Sequence, residues 1–297
     1  MRFELTTDQR DFAASLDALL SAADSVAVAR AWAAGDHAPG LALWGRLAEQ
    51  GLTMLATEAT PVELCVAFEA LGRHAVPGPW VEAAAYLPLA LGAEVDGIAT
   101  VAMPYALDAD VADQVYAVAG GALHAATVDA ALTSVDRSRH LFEVTVGDAV
   151  DADGDLAAAH DLAVLATAAQ LLGAGERVLA DAVTYVKQRK QFGREIGSYQ
   201  AIKHKLADVR IALDFARPLV HGAALDPTPR AVSAAKVACA DAAYLASRTG
   251  LQVHGAIGYT QEFDLSVWIT KIRALVTAWG TPAEHRARIL DSLVGSA

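Results

Sequence analysis

Basic residues are concentrated in one short segment of a chain that is otherwise acidic. Residues 187–205 contain six Lys or Arg side chains and one Glu, so this segment carries a net charge of +5, whereas the whole chain carries −12. Phe192 lies in the segment, and Gly193 and Gly197 predict a corner between two helices. Because guanidinium groups bind phosphates and an aromatic ring can stack on adenine, the corner is suited to a phosphate-bearing cofactor. A solvated basic turn would show the same pattern. The basic side chains are Lys187, Arg189, Lys190, Arg194, Lys203 and Lys205.

A second segment, residues 252–263, combines glycines with polar side chains after a long helical pattern. Its sequence is QVHGAIGYTQEF. Gly255 and Gly258 would allow backbone N–H groups to approach a ligand closely. The C-terminal cap of a helix followed by a chain reversal explains them equally well. His254 on its own is more typical of a core or surface histidine than of a catalytic one.

Other catalytic and metal-binding signatures are missing from the sequence. It contains no C-x-x-C, H-E-x-x-H, G-x-S-x-G or Walker motif. It also has no G-x-G-x-x-G after a strand, which argues against a Rossmann domain. Cys65 and Cys239 lie in helical patterns, so we expect both in the core. The acidic run 147–155 lacks the Gly and Glu positions of a calcium loop and predicts a solvated linker. No metal site is predicted.

The composition indicates a globular protein with a large core. Of the 297 residues, 54% are hydrophobic and 20% are charged, which excludes global disorder. The acidic balance argues against nucleic acid or a membrane surface as the main partner. The longest apolar stretch, residues 162–175, is shorter than the roughly 20 residues of a membrane span. Residues 1–12 carry charges where a signal peptide would be apolar, so we expect a cytoplasmic protein.

Three regions with different hydrophobic patterns would position these segments. Residues 1–95 show the periods of amphipathic helices. Residues 96–155 alternate with a period of two around a Gly120-Gly121 turn and predict four or five short strands. Residues 156–297 repeat apolar positions at steps of three and four over three long helices and one or two shorter ones, which predicts an antiparallel bundle.

The two segments together resemble the acyl-CoA dehydrogenase family. The first reads YVKQRKQFGREIGSYQAIKHKLADV, similar to the family signature Y-x-x-x-R-x-Q-F-G-x-x-I-x-x-x-Q-x-x-x-x-x-L-A-D; the second is similar to the segment Q-x-x-G-G-x-G-Y-x-x-E-x. Their order and separation match, as do the amino-terminal phrases L-T-x-x-Q-x-x-F and W-x-x-L-A-E-x-G-L. The resemblance covers most of the chain. It implies a mainly α fold with a small β domain: an N-terminal helical domain (1–95), a reduced middle β domain (96–155) and a C-terminal antiparallel helical bundle (156–297).

The resemblance implies an FAD site shared between subunits. In such enzymes the bundle dimerises, and the R-x-Q-F-G arginine and phenylalanine reach FAD bound mainly by the neighbouring subunit. In this chain Arg189, Gln191 and Phe192 would serve the diphosphate and adenine, with Gln200 nearby. Ala256 stands where the family has its second glycine. The cofactor-binding residues that the resemblance implies are Arg189, Gln191, Phe192, Gln200, Gln252, Val253, His254, Gly255, Ala256 and Thr281.

The chain departs from the family at the positions of the catalytic base. In many members the base is the glutamate of an E-G-T phrase, which falls here on Trp279-Gly280-Thr281. In others it lies early in the first bundle helix, at Ala163 here. Neither Trp279 nor Ala163 can accept a proton at neutral pH, so no catalytic residue is assigned. The flavin-ring phrases E-P-x-x-G-S-D and W-I-T-N are also absent from residues 96–155.

The favoured hypothesis is a shortened, non-catalytic subunit of a heteromeric bacterial acyl-CoA dehydrogenase. A longer catalytic subunit would supply the base and bind most of the acyl-CoA substrate, in an α2β2 assembly. The complex would carry out α,β-dehydrogenation of a CoA thioester, with a steroid-derived acyl group as one option. Two alternatives remain open. One is a self-sufficient flavoenzyme with a relocated base, for which Glu176 in an otherwise apolar stripe is the candidate; the other is a flavin-free structural pseudoenzyme.

Overall fold

Three regions follow one another along the chain in the computed structural model, which describes residues 3–294. N-terminal helices end at Leu91, a small sheet extends from Ala99 to Ala149, and a bundle of long helices begins at Leu156. This mainly helical architecture with a small β region confirms the fold class expected from the sequence.

The N-terminal region consists of short helices with well-defined starts. Thr6 with Gln9, and Thr60 with Glu63, form capping boxes that satisfy the free N–H groups of two first turns. Just before the last of these helices the chain makes one wide π-helical turn, Glu82–Tyr86, whose residues are all buried. The helices are α1 (Thr7–Ala22), α2 (Ser25–Ala33), α3 (Ala38–Glu49), α4 (Leu55–Glu58), α5 (Pro61–Arg73) and α6 (Leu87–Leu91).

The middle region forms one mixed five-stranded sheet. Its strands are β1 (Ala99–Ala102), β2 (Ala106–Leu107), β3 (Gln114–Ala119), β4 (Ala122–Leu132) and β5 (Leu141–Ala149). Their order is β1-β3-β4-β5-β2, with β1 parallel to β3 and antiparallel pairing from β3 through β4 and β5 to β2. Gly120 and Gly121 take positive φ angles of 59° and 79°, as a tight hairpin turn requires, and join β3 to β4. Because His124 of β4 pairs with Ala149, the start of the acidic run belongs to β5 and not to a linker.

Three long helices and two shorter ones form the C-terminal bundle, as the apolar periods predict. They are α7 (Leu156–Gln188), α8 (Gln200–Leu225), α9 (Pro229–His254), α10 (Leu265–Thr277) and α11 (Pro282–Val294). α7 is the central helix and packs against α5, α8, α9 and α10. By length and composition α7 could cross a membrane, yet 78% of its most apolar window is buried inside the protein, as is usual for a core helix.

The corner between α7 and α8 differs from the sequence prediction. The glycines predict a simple loop, but two short strands, β6 (Lys190–Gln191) and β7 (Arg194–Glu195), form a small hairpin. Phe192 and Gly193 occupy its turn with left-handed φ angles of 53° and 82°. Both central residues of this turn type need a positive φ, and a phenylalanine there gives no sequence signal for it.

Candidate functional site

The basic corner exposes one arginine that is not engaged with other side chains. Lys190 Nζ lies 3.5 Å from Glu195 Oε1, and the Arg194 guanidinium lies 4.0 Å from the centre of the Tyr199 ring. Arg189, directly after α7, is exposed, and within residues 3–294 its side chain forms no hydrogen bond or ion pair. Its guanidinium is therefore available for an anionic group outside the chain.

Phe192 projects from the same hairpin in an unfavourable backbone conformation. Its side chain is 91% exposed, and its φ angle of 53° is uncommon for a bulky residue. The ring is therefore available for contact with a molecule outside this chain. Gln191 and Gln200, which flank the turn in β6 and at the first residue of α8, are also exposed.

The second segment presents mainly its backbone and one amide side chain. α9 ends at His254, and Gly255 continues the chain with a φ angle of 64°. Gln252 and Ala256 are exposed, whereas Val253 is buried. A ligand at this corner could contact the Gln252 side chain and the backbone of residues 255–256, but not the side chain of Val253.

His254 is a core residue that joins the two segments. Its Nδ1 donates to the Gly250 carbonyl at 2.7 Å, and its ring stacks on Tyr185 at a centroid distance of 4.2 Å. Phe263 lies 5.2 Å from the same ring. These contacts hold the C-terminal ends of α7 and α9 together, so the two segments of the sequence lie at one end of the bundle.

The residues at the two positions expected for a catalytic base are both buried. Ala163 is fully buried in α7, and Trp279 is only 6% exposed. The Trp279 ring lies 5.1 Å from the Tyr86 ring and 6.1 Å from the His160 ring. Its carbonyl oxygen accepts a hydrogen bond from His285 Nε2 at 2.9 Å. Trp279 therefore puts an uncharged indole at the position expected for the base, and the residue borders a cavity.

Thr281 lies at the opposite end of the bundle from the basic corner. Its hydroxyl accepts from the Glu284 backbone N–H at 3.2 Å, and its own N–H donates to the Glu284 carboxylate at 2.7 Å, which caps α11. Trp279, two residues before it, contacts His160 near the start of α7. From His160 to Arg189 the helix rises by about 44 Å, at 1.5 Å per residue. One extended flavin dinucleotide cannot reach both ends of this chain.

Glu176 is an ion-paired structural residue and not a candidate base. Its carboxylate oxygen lies 2.6 Å from Arg210 and 2.9 Å from Arg217. Burial acts to raise the pKa of Glu176, but the hydrogen bonds from these two arginines outweigh it and hold the pKa below its usual value. Arg177, the next residue, pairs instead with Asp181, one turn further along α7. A carboxylate with two charged partners is a poor proton acceptor.

The structure reveals a different carboxylate, Glu82, beside Trp279. Glu82 lies in the π-helical turn, is 5% exposed and leaves one carboxylate oxygen without a hydrogen-bond partner among the residues that the structure describes. It lines a cavity of about 420 Å³ together with Trp279 and Arg139. Burial raises the pKa of Glu82 to about 7, although the Arg139 charge opposes this. In the sequence, this site is marked by a single acidic residue in the apolar run 80–91.

Two buried lysines hold α10, the helix that precedes Trp279. Lys271 Nζ lies 3.6 Å from Asp136 Oδ2, and both side chains are almost fully buried. Lys236, also buried, donates to the carbonyls of Leu275 and Ala278 at 2.6 and 2.8 Å, and burial lowers its pKa to about 7. Lys236 therefore fixes the C-terminal end of α10, which Trp279 follows by two residues.

The succession of helices, small sheet and long-helix bundle, with an arginine–phenylalanine corner at one bundle end, is that of an acyl-CoA dehydrogenase. Residues 161–294 match the family described as acyl-CoA dehydrogenase, C-terminal domain. Over 290 residues, the chain is 31% identical to the acyl-CoA dehydrogenase IpdE2 of Mycobacterium tuberculosis, which covers 89% of this chain and 90% of that protein. The chain belongs to the acyl-CoA dehydrogenase family, whose members are FAD-binding flavoproteins.

Solved structures of low sequence identity share the fold over nearly the whole chain. The ChsE4–ChsE5 complex from Mycobacterium tuberculosis superimposes with a TM-score of 0.82 at 22% identity, covering 99% of both chains. The Tcur3481–Tcur3483 steroid ACAD also gives a TM-score of 0.82, at 18% identity, covering 97% of this chain and 98% of that one. At these identities the similarity establishes the fold alone.

Proposed function

We propose that this chain is a non-catalytic subunit of a heteromeric, FAD-dependent acyl-CoA dehydrogenase. The residues at the two base positions expected from the family carry the proposal, and the separation of about 44 Å along α7 between the basic corner and the surroundings of Trp279 supports a cofactor site shared between subunits. Because one cofactor cannot reach both ends, the corner serves FAD held mainly by another subunit. Trp279 and Ala163 leave this chain without a carboxylate at either base position expected from the family.

The exposed groups of the corner fit the diphosphate and adenine end of FAD. Arg189 offers an unpaired guanidinium for the diphosphate, and Phe192 offers a solvent-exposed ring for the adenine. Gln191 and Gln200 are exposed beside Arg189 and Phe192, and Gln252 is exposed at the end of α9. When bound, FAD supplies the oxidant that accepts a hydride from the β-carbon of the acyl group. The residues of this chain bind and orient its distal end, and the partner's base removes the α-proton.

An apolar stripe on α8 supports a partner subunit. Ile211, Phe215 and Leu219 recur at four-residue steps on one face of the helix and are 52%, 73% and 44% exposed. Adjacent exposed apolar side chains of this size mark protein interfaces. The structural neighbours named as the ChsE4–ChsE5 complex and the Tcur3481–Tcur3483 steroid ACAD support a partner subunit and a steroid-derived acyl group. That the partner is a longer catalytic subunit in an α2β2 assembly is part of our proposal.

Flavin counting tests this proposal. The full chain is expressed alone and together with each longer acyl-CoA dehydrogenase encoded beside it, and FAD per chain is measured after denaturation. We expect little or no flavin in the isolated chain and recovery of flavin and of dye-reducing activity in one pair. A stoichiometric flavin in the isolated chain contradicts the proposal. A pair with the same flavin content as the partner alone indicates the flavin-free structural role.

Glu82 favours a second candidate, a self-sufficient dehydrogenase with a relocated base. A buried carboxylate with an unpartnered oxygen, a raised pKa and a place in a cavity has the properties of a general base. The isolated wild-type chain would then reduce a dye acceptor with an acyl-CoA, and Glu82→Gln would abolish this activity. If the isolated chain is inactive, and Glu82→Gln does not change the activity of the pair, the subunit proposal is the explanation.

A further inference from the structure

Two histidines and an aspartate from separate parts of the chain meet at the junction of the N-terminal helices and the sheet. His37 precedes α3, Asp110 follows β2, and His140 precedes β5. The three side chains are partly exposed, so solvent reaches them. His37 Nε2 lies 3.3 Å from His140 Nδ1 and 3.6 Å from Asp110 Oδ2, and His140 Nδ1 lies 3.2 Å from the same oxygen.

These separations fit the ligands of a shared metal ion. His140 Nδ1 lies within hydrogen-bond distance of His37 Nε2 and of the Asp110 carboxylate, whereas the distance between His37 and Asp110 exceeds the roughly 2.7–3.2 Å of a hydrogen bond. Zinc binds histidine nitrogen at about 2.0–2.1 Å and carboxylate oxygen at about 2.0–2.2 Å in tetrahedral geometry. Two such ligands at the tetrahedral angle lie about 3.3–3.5 Å apart, which is close to all three distances.

We propose that His37, Asp110 and His140 bind one zinc ion. Two imidazole nitrogens and one carboxylate are a ligand set for a divalent transition metal and not for magnesium or calcium, which prefer oxygen ligands. Water would complete the tetrahedron, because the three side chains are partly exposed. The ion would clamp the segment between α2 and α3 to the sheet, because the ligands belong to both regions. This inference is independent of the proposed function.

Neighbouring side chains hold two of the ligands in place. Asp108, which is fully buried, accepts a hydrogen bond from the Trp32 indole at 3.1 Å and another from the His140 backbone N–H at 3.0 Å. The Trp32 ring also packs against the His37 ring at 4.6 Å. Supports of this kind orient metal ligands before the ion arrives.

Titration of the untagged, chelator-treated chain with zinc chloride tests the site. We expect one zinc per chain by calorimetry and by elemental analysis after gel filtration. His140→Ala should raise the dissociation constant by at least 100-fold, since even the loss of a supporting residue costs about 10- to 100-fold. His204→Ala, which removes an exposed histidine without a hydrogen-bond partner within residues 3–294, is the matched control and should bind as the wild type does.

Asp110→Asn is a second variant, which tests the site even if His140→Ala fails to fold. It keeps the shape of the side chain and removes its charge. It should weaken zinc binding with an unchanged circular dichroism spectrum. Cobalt(II) should give the intense visible bands of four-coordinate geometry in the wild type and not in Asp110→Asn. Equal zinc affinity of the wild type and His140→Ala, or no saturable binding by the wild type, overturns the proposal.

Discussion

A single guanidinium at the basic corner should determine how strongly the complex holds its cofactor. Arg189 has no competing partner among the described residues, so its full interaction with a diphosphate is available. A hydrogen bond to a charged group contributes about 1.5–3 kcal/mol. Arg189→Ala should therefore weaken FAD binding to the complex about 10- to 100-fold, as measured by flavin release on dilution. Arg230→Ala, an exposed arginine at the start of α9, is the control, and equal loss in both variants would contradict the assignment.

Glu82 should make stability depend on pH. Its pKa is about 7 in the folded protein, mainly through burial, against 4.5 ordinarily. Between these pH values the native state holds a proton that the unfolded state has released, so stability falls as pH rises through this window. The total loss is about 3 kcal/mol. Glu82→Gln cannot ionise, so we expect it to gain stability relative to the wild type from pH 4.5 to 7.

Urea unfolding of both proteins at several pH values measures this difference. Asp108 also has a raised pKa, about 6, through burial. Its charge contributes to the raised pKa of Glu82, so the comparison reports Glu82 together with this interaction. A difference between wild type and Glu82→Gln that stays constant from pH 4 to 8 would show that Glu82 does not change its ionisation on folding.

The sequence was most informative where candidate functional residues are close together along the chain. Arg189, Gln191 and Phe192 lie within four positions, so one family motif located all of them. Glu82 and Trp279 are brought together only by packing between the π-helical turn and the end of α10. The same is true of His37, Asp110 and His140, whose long sequence separations gave no metal-binding spacing.

Glycines set the distance between α5 and α7 and allow a test at the level of helices. A side chain at Gly173 would overlap the Glu69 carbonyl, and one at Gly72 would overlap the Gln170 carbonyl. Gly173→Ala must therefore push the helices apart, at a cost of about 1–3 kcal/mol. Gly45→Ala, on α3 with no atom within 4 Å of the added methyl, should instead gain about 0.5–1 kcal/mol. Chemical denaturation distinguishes these signs, and a neutral Gly173→Ala would mean that the helices are less closely packed.

Hydrophobic periods predicted the long helices but not the short irregular elements. The steps of three and four in residues 156–297 mark α7, α8 and α9 because each helix buries one continuous face. The β6–β7 hairpin depends on a left-handed Phe192, and the π-helical turn depends on the packing of Glu82–Tyr86. Neither feature follows from local propensity, and both occur beside candidate functional groups, where local rules are most often broken.

At the scale of the whole molecule, our proposal of an incomplete site begins from the amino-acid sequence. The indication is the coexistence of a cofactor-binding motif with Trp279 and Ala163 at the base positions. The sequence could not show that α7 runs without a break from the surroundings of Trp279 to the basic corner, a distance of about 44 Å. That separation is a property of the fold, because it requires an unbroken helix from His160 to the basic corner.

The apolar stripe on α8 gives the prediction that belongs to the assembly. Phe215 is the most exposed member, so Phe215→Asp should leave the melting temperature of the isolated chain unchanged. In an interface the new carboxylate would be buried without a partner, which costs several kcal/mol. We therefore expect Phe215→Asp to abolish co-purification with the longer subunit and, as a consequence, its flavin gain. Val146→Asp replaces another exposed apolar residue, on β5, and should assemble normally. A Phe215→Asp chain that still co-purifies at the wild-type ratio would place the partner on a different face of the bundle.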